Sequence, residues 1–133
     1  VELTTRLLLD THALLWTLLE PQRIPAAALA HIRDPATTLL VSAASAWEIG
    51  TKFRLGKLDG AQAVVHGYPD HLRRLRAEEL PITSHHAMTA GTLVWAHRDP
   101  FDRMIAAQCM IESVPLCTAD AALTAFPGLR IVW

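Results

Sequence analysis

An α/β domain with a mostly parallel central sheet is predicted by three features of the sequence. Short, largely apolar runs recur at Leu7–Leu9, Thr38–Ser42 and Val114–Cys117. They are too brief for helices and apolar on successive residues, as strands covered on both faces are. Longer stretches with helical spacing separate them, the alternation expected of βαβ units. Proline, glycine and capping residues fall at the joins.

Taken in order, Leu7-Leu8-Leu9 stops at Asp10, which sits at the carboxyl end of the first strand. Leu14, Leu15, Leu18 and Leu19 carry a helix from His12 to Leu19, broken by Pro21. A second helix is expected from Pro25 to Arg33, ended by Asp34-Pro35. After the strand Thr38–Ser42, Ser42 or Ser45 can cap a helix running to Arg54, with Glu48 in its early turns. Gly56 and Gly60 mark a loop, and an arginine-rich helix is expected over Asp70–Ala77. Leu80–Thr83 reads as an edge strand, since Pro81 suits no central one.

Ser84 would cap a helix from His85 to Val94. The next helix has the clearest start in the chain. Asp99 suits the N-cap, Pro100 the first helical position and Asp102 the first turn, while Met104, Ile105 and Cys109 continue at near-helical spacing. The strand Val114–Cys117, a short helix from Asp120 to Phe126, a Pro127-Gly128 turn and a last strand Leu129–Val132 complete the chain.

No repeat or linker divides residues 1–133, so one domain is expected, long enough to bury a real core. Lys plus Arg number 12 against 13 Asp plus Glu, which excludes a general polyanion binder held by bulk charge. Cys109 and Cys117 lie in apolar contexts without metal spacing and read as reduced core thiols. No secretory signal or run of about 20 apolar residues is visible, so a cytoplasmic protein without a membrane partner is expected.

The acids give the sequence its functional content. Asp10 ends the first strand, Glu48 lies about a turn into the helix leaving the second, Asp102 opens its helix and Asp120 follows Cys117-Thr118-Ala119. In an open parallel sheet all four fall at the strands' carboxyl ends, where such folds place their sites. Gathered there they would repel one another and raise their own pKa values unless a cation lay among them. Oxygen ligands suit a hard ion, Mg²⁺ or Mn²⁺, and such sites hydrolyse phosphodiesters without a covalent nucleophile. Each acid has an ordinary explanation too: Glu48 as an exposed helix residue, Asp120 as a cap, Asp99 and Asp102 as partners of a helix dipole.

Other residues weigh less. His85 and His86 are adjacent and diverge on a helix, so they suggest no zinc site; His12 and His97 flank the expected cleft, with a structural role preferred for both. The four tryptophans read as core or interface anchors, and Arg73-Arg74-Arg76 as a solvated face. Arg98 and Arg103, beside the acids, are the better phosphate ligands.

Four segments occur in order: Leu8-Leu9-Asp10-Thr11-His12-Ala13-Leu14-Leu15-Trp16, Val41-Ser42-Ala43-Ala44-Ser45-Ala46-Trp47-Glu48-Ile49, Arg98-Asp99-Pro100-Phe101-Asp102-Arg103-Met104-Ile105-Ala106-Ala107-Gln108 and Cys117-Thr118-Ala119-Asp120. Together they closely resemble the PIN-domain ribonucleases, specifically the VapC-type toxins of type II toxin–antitoxin pairs. The resemblance implies a PIN-like (Rossmann-like) three-layer fold with strand order 3-2-1-4-5 and Mg²⁺- or Mn²⁺-dependent endoribonuclease activity. It also implies a homodimer, a cognate antitoxin and a higher toxin–antitoxin assembly. Carried over by position, Asp10, Glu48, Asp102 and Asp120 match the family's acids, with Asp99 left mainly as a cap. Thr11, Ser45 and Thr118 match positions that orient the acids or hold a water beside the metal. Two other readings stay open: a phosphoryl hydrolase using Asp10 as nucleophile, and a non-catalytic binding module of the same fold.

Overall fold

The computed structural model describes residues 5–133, and its centre is a five-stranded, all-parallel sheet in the order β3-β2-β1-β4-β5. The strands are β1 (Thr5–Leu9), β2 (Thr37–Ser42), β3 (Ala77–Leu80), β4 (Leu116–Cys117) and β5 (Ile131–Val132). Between β1 and β2 lie α1 (Thr11–Leu19), a 3-10 turn (Pro21–Arg23) and α2 (Ala26–Arg33). Between β2 and β3 lie α3 (Ala43–Arg54), α4 (Ala61–His66) and α5 (Tyr68–Leu75). Helices α6 (Ser84–Thr92) and α7 (Pro100–Glu112) join β3 to β4, and α8 (Ala121–Ala125) joins β4 to β5.

The layers follow from the two-residue period of a strand. Leu7 and Leu9 of β1, with Leu39 and Val41 of β2, face one side and pack with Leu14, Ile32, Ile49, Val64 and Leu72. Leu8 and Leu40 face the other side and pack with Ile105, Ala106, Cys109, Leu116 and Leu123. Leu7, Leu8 and Leu9 are all buried, which is why this run shows no polar alternation. Ala106 and Ala107 of α7 are fully buried, their small side chains letting the helix lie close against its neighbours.

The expected architecture and strand order are present, and the departures are local. The strand expected at Leu80–Thr83 lies earlier, at Ala77–Leu80, and the preceding helix stops at Leu75 rather than Ala77. Arg76 takes a left-handed conformation (φ 58°) that closes α5, so the chain enters the sheet at once and pairs Ala77 with Leu39. Pro81, lacking an N–H, falls just past the strand. Thr83, not Ser84, caps α6: its hydroxyl accepts from His86 N while His86 Nδ1 accepts from Thr83 N, a capping box with histidine in the acid's place. Helix α4, unanticipated, starts at Gly60, whose φ of 76° few other residues adopt readily.

Order reverses between β1 and β4: the chain leaves β1 for β2 on one side, and β4 joins β1 on the other. That switch point opens a crevice at the strands' carboxyl ends, and Asp10 and Thr118 stand at its two lips.

Candidate active site

Asp10 is the residue that β1 delivers to the crevice. Its Oδ1 accepts from Ala13 N at 2.7 Å, capping α1, and its Oδ2 accepts from the Thr118 hydroxyl across the switch point. Asp10 is only 5% exposed. Burial raises its carboxyl pKa, with the nearby Asp120 charge adding to the rise; the Thr118 and Ala13 hydrogen bonds and His12 oppose it.

Asp120 caps α8, its Oδ1 accepting from Ala122 N and Leu123 N, and its own N–H donates to Thr118 Oγ1 at 3.0 Å. Thr118 therefore binds to both acids at once. Asp10, His12, Trp16, Ala119 and Asp120 line a cleft of about 210 Å³. The expectation of Asp120 as a cap and the expectation of it beside Asp10 both describe what is seen.

Glu48 and Asp102 approach from α3 and α7. Ser42 caps α3 through Ala44 N, so Glu48 projects one turn in and is 4% exposed rather than solvated. Its Oε2 lies 2.5 Å from Lys52 Nζ, one helical turn on. Asp99 caps α7, Oδ1 accepting from Phe101 N and Asp102 N, which fixes Asp102 in the first turn. Asp102 Oδ2 accepts from His97 Nε2 at 2.7 Å. Burial pushes the Asp102 carboxyl up to about 6; the His97 hydrogen bond opposes this, while the charges of Asp99, Asp120 and Glu48 add to it.

These charge effects link the four acids: Asp120 is felt by both Asp10 and Asp102, and Glu48 by Asp102. Among the described residues no group of three or more His, Cys, Asp or Glu side chains stands close enough together to hold a metal ion as placed. The donor set nevertheless fits a hard divalent cation: all oxygen, mutually repelling, with Glu48 and Asp102 each tied through one oxygen only. Around them Thr11 and Ser45, both buried, join α1 to α3 through a 3.0 Å hydroxyl contact.

The pKa of Asp102 has a sign that can be tested. Its folded value lies above the ordinary 3.8, so the folded chain holds that proton more tightly than the unfolded one. The resulting stabilisation is complete below about pH 4 and is lost as pH rises through about 6. Without added metal, Asp102→Asn is expected to raise the melting temperature by about 3–6 °C near pH 7.5 and by little at pH 4. Equal effects at both pH values would contradict the shift.

One expectation changes. Arg103 does not reach the crevice as a phosphate ligand: its guanidinium donates to four main-chain carbonyls, Ala90, Leu93, Trp95 and His97, at 2.7–2.9 Å. Arg98 is exposed, beside a groove that also holds Trp47. Of the two readings left open for the tryptophans, Trp47 takes the surface one: it is 63% exposed, its ring edge-on to Phe101 at 4.7 Å. The roles of Lys52 and His97 were missed, although Glu48/Lys52 at i,i+4 is a readable pairing signal. His97 lies five residues before Asp102 in irregular chain, where spacing predicts no contact.

The doubly wound, all-parallel sheet with its helices on both faces defines a Rossmann-like class of α/β domain, in which the switch point is where ligands bind. The PIN domain family matches residues 7–129, and the chain belongs to that family. Over 59 residues it is 41% identical to Ribonuclease VapC16 of Mycobacterium tuberculosis, a match covering 44% of this chain and 40% of the relative's length. Among solved structures, VapBC2 from Rickettsia felis bound to a DNA fragment from their promoter is similar over 96% of this chain and 98% of that one (TM-score 0.65, 15% identity). DNA-bound VapBC from Salmonella typhimurium is similar over 96% and 97% (TM-score 0.60, 22% identity). FitAcB from Neisseria gonorrhoeae is similar over 96% of each chain (TM-score 0.62, 20% identity). Identities this low speak to the fold.

Proposed function

We propose that the chain is a divalent-metal-dependent endoribonuclease, the toxin of a toxin–antitoxin pair, acting in the cytoplasm on RNA. What supports this most is that Asp102 feels the charges of Asp120 and Glu48, and Asp10 that of Asp120, in a chain of the PIN family. Membership of the family and the ribonuclease name of the mycobacterial relative support the same reading.

Asp10, Glu48, Asp102 and Asp120 would hold Mg²⁺ or Mn²⁺. When bound, the ion supplies Lewis acidity at the phosphoryl group and makes water a better nucleophile at neutral pH. The chain's own groups do the positioning. Thr118 and Ala13 N hold Asp10 in one orientation, Thr118 also receives Asp120 N, and the Thr11–Ser45 contact fixes the helix starts on either side. Arg98, exposed and next in sequence to the Asp99 cap of α7, would meet an RNA phosphate.

A protein partner is supported by the groove beside Arg98, where the apolar Trp47 and Ile82 are 63% and 38% exposed. An antitoxin and a second copy of the chain are the proposed occupants of the surface. Among the described residues no helix is long and apolar enough to cross a membrane.

The test is cleavage of single-stranded RNA by the purified chain with Mg²⁺ or Mn²⁺. Internal cuts that EDTA stops are expected. Metal-independent cutting, or none with either ion, would refute the proposal.

A further inference from the structure

The segment 93–99 between α6 and α7 has no regular structure, yet one side chain, Arg103, binds three of its carbonyls. Arg103 Nε donates to Ala90 O at 2.9 Å, Nη1 to Trp95 O and His97 O at 2.9 Å, and Nη2 to Leu93 O at 2.7 Å. One planar group thus sets the path of the loop from inside its curve. The Trp95 ring packs on Phe126 (4.7 Å between centroids) and the His97 ring packs on Trp95 (4.9 Å). The His97 backbone is held by Arg103 and its ring by Trp95, so Nε2 meets Asp102 Oδ2 at 2.7 Å. A carboxylate only accepts, so the proton on this bond belongs to Nε2.

Asp102 is thereby held at two points: its backbone by the Asp99 cap and one carboxylate oxygen by His97. The other oxygen, Oδ1, makes no hydrogen bond among the described residues. We infer that His97 is a positioning residue for Asp102, engaging Oδ2 so that Oδ1 is presented to the divalent ion, and that Arg103 acts on the site only through His97. This rests on the metal-dependent reading above. It also explains a long cationic side chain next to an acid that it does not touch: Arg103 is part of the scaffold of the loop.

The test measures Mn²⁺ affinity by calorimetric titration, alongside kcat and KM for RNA cleavage. Loss of an outer-shell hydrogen bond to a metal ligand weakens metal affinity by about 10–100-fold, and that is the effect expected for His97→Ala. Gln places an amide N–H where Nε2 lies, so His97→Gln should stay within about threefold of wild type. The loss in His97→Ala should fall on kcat with KM for RNA little changed. Arg103→Lys, which cannot reach four carbonyls at once, should weaken Mn²⁺ binding in the wild-type background and add nothing to His97→Ala.

Wild-type binding by a folded His97→Ala protein would overturn the inference while leaving the ribonuclease reading intact. So would equal weakening in His97→Ala and His97→Gln, or an Arg103→Lys effect that persists without His97. A wild-type chain that binds no Mn²⁺ and cuts no RNA would overturn both.

Discussion

Asp10→Asn is expected to remove RNA cleavage while leaving the melting temperature equal to or above that of the wild type. The two consequences separate because Asp10 has two duties. As the cap of α1 it needs only an oxygen to accept from Ala13 N, and Asn supplies one. As a candidate ligand it needs a negative charge, which Asn lacks. Burial already opposes that charge in the folded chain, so removing it relieves the fold. The activity loss should exceed the about 10–100-fold typical of an outer-shell change. Asp10→Ala should be equally inactive but less stable by about 1 kcal/mol, the usual loss with an N-cap. RNA cleavage and thermal unfolding of both variants check this. An active Asp10→Asn enzyme would remove Asp10 from the chemistry.

The second large effect is on stability. Asp10 and Asp102 both have raised pKa values, partly through the charges of neighbouring acids, so a cation among them should stabilise the folded chain. At about one hundred times its Kd, a ligand of the folded state alone contributes about 2.7 kcal/mol. For a chain of this size, that corresponds to a rise of about 5–10 °C in melting temperature. Differential scanning calorimetry with Mn²⁺ against EDTA should show it, and Asp10→Asn should lose most of it. No shift in the wild type would argue against a site assembled before RNA arrives.

What the sequence disclosed well are the features that single segments carry. The apolar run Leu7–Leu9 is buried on both faces, and Asp99-Pro100 starts α7 where its capping chemistry requires. The alternation of such segments was enough to place four acids at one edge, because chain direction in a parallel sheet fixes which end each helix start occupies. The second partner of each acid was harder to read. Thr118 reaches Asp10 across 108 positions, and Arg103 reaches backbone carbonyls, which no side-chain pattern reveals. The β3 boundary moved because Arg76 adopts a conformation normally taken by glycine, so the residue type at the turn gave no signal. Trp47 was open for another reason: aromatic residues are anchors in cores and at interfaces alike, and only burial separates the two.

The two thiols give the molecule an internal clock. Cys109 and Cys117 are 3% and 0% exposed, and burial, helped by the Asp10 charge, pushes both up to about 12. An alkylating reagent in neutral solution thus finds neither accessible sulfur nor thiolate while the sheet and α7 stay closed. Modification must wait for the central layer to open, so its rate reports how often that layer parts. Whatever clamps the crevice, ion or partner, should slow the labelling in proportion to how strongly it holds the closed form.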